Sequence, residues 1–189
     1  MASDGEPSVR VLPVTPERWE DMAALFGARG SPGYCWCMAY RRESSADMSN
    51  TAKREAMRCL VATGTPVGVL AYDGDEPIGW CSVAPRESYA RLARSRTMPR
   101  VTMENTWTVL CFFVRRSHRK RGVARALLEG AVEYAHESGS RYIEGYPFDT
   151  AGISSTHRGH SSMFQALGFR QDGSRWSLDP GAARRAGPE

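Results

Sequence analysis

The chain has 189 residues, 41% of them hydrophobic, with 25 Lys and Arg against 21 Asp and Glu for a net charge of +4. That length holds one ordinary core, and the mild basicity fits an anionic ligand while falling short of the dense basic stripe of a nucleic-acid binder. No apolar run approaches the roughly 18 residues needed to span a bilayer, and the opening MASDGEPSVR lacks the apolar stretch of a secretory signal, so a soluble, cytoplasmic protein with no nucleic-acid or membrane partner is expected.

Residues 1–8 read as a disordered leader. VRVLPV (9–14) suits a first strand, and TPERWEDMAALF (15–26) a helix, with Thr15 placed to cap and Pro16 at its first position. An irregular stretch rich in glycine, proline and aromatics follows, and a second helix is expected within 50–63. VGVLAY (67–72) and PIGWCSV (77–83) flank the turn signal DGDE as a hairpin. A short helix is expected over 86–95. TWTVLCFFV (106–114) has no polar alternation at its end, as in a central strand buried on both faces. GVARALLEGAVEYAHES (122–138) carries Val123, Ala126, Leu127, Ala131 and Tyr134 at helical spacing. A strand over 141–148, a short helix over 161–169 and a last strand over 175–178 complete the pattern, and the tail 179–189 reads as disordered. The strand–helix–strand unit in the middle implies parallel pairing through a right-handed crossover.

The five cysteines, Cys35, Cys37, Cys59, Cys81 and Cys111, are odd in number and scattered in spacing, which argues against a disulfide framework. Cys35-x-Cys37 with the distant His157 and His160 matches no zinc spacing, so no metal is expected.

The stretch HRKRGVAR (118–125) joins the buried strand to the helix. The first N–H groups of a helix lack internal partners and the helix dipole adds positive potential there. Gly122 leaves room for close approach, Ala124 is small, and Arg119 and Arg121 add charge. A phosphate could rest on these amides; an ordinary basic turn reads equally well from the glycine alone. Neither a P-loop nor a dinucleotide fingerprint is present.

Arg119-x-x-Gly122-x-Ala124 resembles the Gln/Arg-x-x-Gly-x-Gly/Ala motif of the GCN5-related N-acetyltransferase (GNAT) family. The preceding apolar strand, the long helix, the next strand and the later ALGF (166–169) resemble that family too, over about 9–178, which is read as a single domain. The resemblance implies an α/β fold with a mixed central sheet, helices on both faces and two splayed parallel central strands. It implies that the amides from Arg119 through Lys120, Arg121, Gly122 and Val123 to Ala124 hold the pyrophosphate of acetyl-CoA. The main chain of Phe112, Phe113 and Val114 would pair with the pantetheine arm, and an amine would attack the thioester directly.

The family position that carries a glutamate in histone-acetylating members is Thr108 here, and the usual tyrosine acid is Phe164. The base must then come from elsewhere. Glu144, a lone acid in a β-rich run, is the first candidate; Glu104 and Asp149 flank the strands as further ones. Ser161, Ser162, His157, His160, Tyr146 or water could replace the missing acid. Tyr34, Trp36, Met38 and Tyr40 could line an acceptor pocket or plug the core edge, and Thr108 joins them as a substrate-side candidate. The expected activity is acetyl transfer from acetyl-CoA to a small-molecule amine. An aminoglycoside-type antibiotic is one candidate acceptor, ringed by Glu43, Asp47, Glu104, Glu144 and Asp149. Alternatives are a protein N-acetyltransferase or a non-enzymatic acyl-CoA-binding sensor, and the resemblance allows a homodimer.

Overall fold

The computed structural model describes residues 9–27, 31, 33–42, 48–99, 103–149 and 155–179. The expected leader, most of the expected tail, and Glu43 and Asp47 lie outside them.

Strand β1 (Arg10–Pro13) leads through a 3-10 turn at Pro16–Arg18 into helix α1 (Trp19–Gly27). Pro16 opens that turn as expected, but the Thr15 cap does not form; its hydroxyl accepts from the Arg18 guanidinium instead. Trp19, Met22, Leu25 and Phe26 are the buried stripe of α1. After the short α2 (Met38–Arg41), helix α3 (Asn50–Ala62) starts on Ser49, whose hydroxyl accepts the Ala52 N–H at 3.1 Å.

Strands β2 (Val69–Asp73) and β3 (Glu76–Pro85) form the hairpin, turned at Gly74. The helix expected over 86–95 is two 3-10 turns, Arg86–Ser88 and Ala90–Arg94. Tyr89 divides them at φ −111° and ψ 79°. Its ring is drawn into the core, where its hydroxyl meets that of Ser82 at 2.9 Å, and that backbone cannot continue a helix.

Strand β4 (Thr106–Val114) is followed by a 3-10 turn at Arg116–His118, helix α4 (Val123–Glu137) and strand β5 (Tyr142–Gly145). The buried stripe of α4 is Val123, Leu127, Leu128, Ala131 and Ala135; Ala126 and Tyr134, expected there, sit at its margin and are half-buried. β5 is shorter than expected, because Phe148 gives its N–H to Gly159 rather than to the sheet. Helix α5 (Ser161–Ala166) is also shorter than expected. Strand β6 (Arg170–Asp172), polar and exposed throughout, offered no apolar alternation to read, and β7 (Arg175–Leu178) completes the chain order.

The seven strands lie in the order β1-β2-β3-β4-β5-β7-β6. Only β4 and β5 are parallel, joined across α4. One core cluster lies under α4 and includes Trp107, Val109 and Phe112 from β4. A second lies under α1 and α3 on the opposite face, with Phe113 packed against it. A third, smaller cluster joins Tyr89, Leu92 and Met98 to Leu110 and Tyr146. Helices therefore cover both faces of a mixed sheet, as the sequence implied.

Candidate active site

The parallel ladder between β4 and β5 runs only from Thr106–Tyr142 to Val109–Gly145. Beyond it, β4 continues to Val114 without β5. At the same level the register against β3 slips, Ser82 facing Cys111 and Val83 facing Val109, so that Leu110 is an extra, bulged residue. A bulge and the loss of one neighbour bend β4 away from β5. Gly145 stands at that parting because the Phe164 ring occupies its side-chain space: an added Cβ would lie 2.3 Å from the ring. Phe164 is fully buried, edge-on to Phe112 and Phe169. The phenylalanine at the tyrosine position thus wedges the parting open with carbon alone.

The loop after β4 leads from this parting to α4. Lys120 and Gly122 both have left-handed backbones, at φ 60° and 77°, which curls the chain between them. Gly122 is the N-cap of α4 and supplies no side-chain cap, so the first amides of the helix, at Val123 and Ala124, keep their donors. An added Cβ at Gly122 would meet nothing within 4 Å; the space above it is open. The Arg119 guanidinium donates to the Val114 carbonyl at 3.0 Å, which holds the loop to the end of β4. Arg119, Lys120 and Arg121 are exposed, whereas Val123 anchors the helix in the core. Open amides, a vacant approach and three cations make a cradle that could hold a pyrophosphate.

The three acids expected as bases are not gathered together. Glu144 is fully buried. One carboxylate oxygen takes an ion pair from Arg86 and the Thr108 hydroxyl at 2.8 Å; the other takes the Tyr146 hydroxyl at 2.9 Å. With three donors on it and no face to solvent, Glu144 is a structural anion rather than the accessible base expected. Burial, and after it the Glu144 negative charge, hold the Tyr146 hydroxyl protonated, well above its ordinary range. Thr108 likewise is sealed beneath the surface as a donor to Glu144 and offers nothing to a substrate. Arg86 also donates to the carbonyls of Met98 at 2.9 Å and Pro99 at 3.0 Å, so the buried pair pins that loop. Glu104 is exposed just before β4 and lines a separate cavity of about 480 Å³ with Arg86 and Glu87, at the strand end away from the parting. Asp149 is exposed and accepts the Ser161 N–H at 2.8 Å; the Ser161 hydroxyl and that N–H hold its carboxyl below the usual range. It caps α5.

On the face opposite α4 lies a cavity of about 700 Å³, bounded by Tyr40, Leu92, Met98 and the 3-10 turn Ser155–Arg158. Leu92 and Met98 pack on the bulged Leu110. Cys111, half-buried on β4, packs beside Tyr40 and also meets Cys37. Of the aromatic segment, only Tyr40 reaches this cavity. Trp36 and Met38 are core plugs: Trp36 stacks on Trp19 at 5.9 Å and on Phe26 at 5.0 Å, which corrects the reading of both as pocket lining. Tyr34 is exposed and lines neither described cavity. Burial and the neighbouring Cys111 raise the Tyr40 phenol above its usual range, so it stays protonated. The sequence hid the rest of this wall. Arg91, Arg94 and Arg158 come from two 3-10 turns with no motif of their own. Among the described residues, no group of three His, Cys, Asp or Glu gathers as a metal site, and no helix is long and apolar enough to cross a membrane.

A splayed parallel pair with an amide cradle at one end and a cavity behind it defines a class of acyl-transfer fold. The family model "Acetyltransferase (GNAT) family" matches residues 24–151; the chain belongs to that family. It is an acetyl-CoA-dependent N-acetyltransferase, with acetyl-CoA as cosubstrate. No curated protein matches the chain. Solved structures share the fold. An N-acetyltransferase from Staphylococcus aureus Mu50 is 13% identical with a TM-score of 0.55, covering 92% of this chain and 99% of its own. A GCN5-related N-acetyltransferase from Kribbella flavida is 16% identical with a TM-score of 0.53, over 91% and 98%. A GNAT family acetyltransferase from Brucella melitensis, in complex with acetyl-CoA, is 10% identical with a TM-score of 0.51, over 97% and 91%.

Proposed function

We propose that this enzyme acetylates the primary amine of a small molecule that enters through the 700 Å³ cavity, on the face of β4 opposite α4. The observation that carries this reading is the parting of β4 and β5 at the bulged Leu110. Past that point β4 has no strand partner on its β5 side, with the amide cradle following its end and a bounded cavity on the face opposite α4. A cavity of that volume is the size of small-ligand sites. Acetyl-CoA supplies the acetyl group as a thioester: the amine nitrogen bonds to its carbonyl carbon, the carbon–sulfur bond breaks, and the departing thiol takes up the proton the amine releases.

The chain's own residues divide the work. The amides of Val123 and Ala124, with Arg119, Lys120 and Arg121, hold the pyrophosphate, and the freed main chain of Phe112, Phe113 and Val114 holds the pantetheine arm. Tyr40, protonated and lining the cavity beside Cys111, relays that proton in place of the phenol missing at Phe164: it gives its own to the leaving sulfur and is restored by the one the amine releases. Glu144 positions: through Arg86 it fixes the loop at Met98 that forms the cavity floor.

The test is thiol release from acetyl-CoA against amino acids, acidic amines, polyamines, aminoglycosides and lysine peptides. Turnover with a small amine supports the reading. Turnover confined to peptides would replace it with a protein N-acetyltransferase. Tight acetyl-CoA binding without thiol release would replace it with a sensor.

A further inference from the structure

Among the described residues, the charged side chains that line the proposed acceptor cavity are basic. Arg91 and Arg94 line it from one 3-10 turn, and His157 and Arg158 from another across the opening. Among the described residues, no Asp or Glu lines it. The Arg91 guanidinium gives one N–H to the Ala39 carbonyl at 3.3 Å, which holds it at the rim without neutralising it. Arg158 lies over the Phe148 ring at 5.1 Å, and its Nε is buried without a hydrogen-bond partner. A guanidinium with a desolvated, unpaired donor is costly unless a ligand completes it. Arg91 and Arg158, from two separate turns, line the same cavity as Tyr40, and both act electrostatically on its phenol. Of the acids named for a polycationic acceptor, the three among the described residues do not line the cavity: Glu144 is sealed in its ion pair, Glu104 faces the second cavity, and Asp149 caps α5.

Resting on the small-molecule reading above, we infer that the acceptor is an acidic amine, carrying a carboxylate or phosphate a few bonds from its nitrogen, which Arg91 and Arg158 clamp. Guanidinium groups bind such anions through paired N–H donors. The clamp has a second effect. Positive charge close to an ammonium disfavours it and releases the neutral amine that attack requires. That supplies a physical reason for a site whose one buried carboxylate is committed to Arg86.

A matched series tests this. Ethanolamine, β-alanine, O-phosphoethanolamine and 1,3-diaminopropane offer the same short amine with no charge, a carboxylate, a phosphate or a second cation. Thiol release is measured for the full-length enzyme and for Arg91→Glu, Arg158→Gln and the doubly substituted chain. The expected result is a kcat/KM for β-alanine or O-phosphoethanolamine about tenfold or more above that for ethanolamine, with 1,3-diaminopropane lowest. The better of the two acids identifies the anion. The substitutions should raise the KM of the acidic amine by about tenfold and narrow the gap to 1,3-diaminopropane, with the acetyl-CoA KM unchanged. Preference for 1,3-diaminopropane in the unsubstituted enzyme overturns the inference and leaves the transferase reading standing. So does a rise in the acetyl-CoA KM alone, which would assign the arginines to the cosubstrate. Absence of thiol release with every amine, in enzyme that still binds acetyl-CoA, overturns the small-molecule reading itself.

Discussion

The two faces of β4 are built in opposite ways. On the side of α4, the cradle is one continuous segment, 119–124, whose working atoms are main-chain amides. On the other side, the cavity proposed for the acceptor takes its wall from α2, from the turn Ala90–Arg94, from the loop at Met98 and from the turn Ser155–Arg158. Backbone recognition needs only a glycine and small neighbours at fixed spacing. Side-chain recognition is assembled from segments far apart in the chain, each free to change alone. The cradle proposed for the cosubstrate is therefore written locally, and the proposed acceptor side is written nowhere in particular.

Substitutions that strike one face and spare the other sharpen that contrast. Glu144→Ala leaves the largely buried Arg86 without its carboxylate and should cost about 3 kcal/mol in urea unfolding. In the folded fraction, the acceptor KM should rise while acetyl-CoA affinity holds; an equal fall in both would erase the division. Gly122→Val forces a β-branched residue to φ 77°, at a cost of about 1–3 kcal/mol of local strain. Calorimetric titration should show acetyl-CoA binding weakened about tenfold or more, with acceptor selectivity unchanged. Tyr40→Phe should lower kcat by about tenfold while leaving both KM values near their starting point. Unaltered kcat would return the departing sulfur to water. Asp149→Asn should have the smallest effect. Its carboxyl is held below its unfolded value, so its contribution is present above about pH 4 and disappears as pH falls through the lower folded value. The melting temperatures of the two proteins should differ slightly at neutral pH and coincide in strong acid.

Much of the sheet could be read from residues because apolar runs and turn signals repeat its order. TWTVLCFFV announces a central strand, and DGDE between two β-rich runs announces a hairpin. The polar β6 could not be read, since nothing apolar alternates in Arg-Gln-Asp. The 3-10 turns at 86–94 were hidden because Tyr89 leaves the helical region only to reach Ser82. At the site, the glycine and small-residue spacing marked the open helix start at Gly122, where a cradle is proposed. Glu144 was singled out for the right reason, a charge on a buried strand, but the partner that explains it, Arg86, lies 58 residues away in sequence. Trp36 and Met38 were ambiguous because an aromatic at a core edge and one at a pocket edge look alike until the neighbours are known. The arginines of the acceptor wall carry no pattern, so the charge of the cavity became visible only in three dimensions.

Trp36 and Cys37 both hold left-handed backbones, at φ 43° and 49°, immediately before the helix that carries Tyr40. Neither residue favours that conformation, which costs about 1–3 kcal/mol at each. The stacking of Trp36 between Trp19 and Phe26 offsets that cost. The place of Tyr40 is thus set by an aromatic stack buried in the core. A lineage could retune which amines it accepts by conservative changes at Trp19 or Phe26, rotating the α2 wall and leaving every lining side chain as it was.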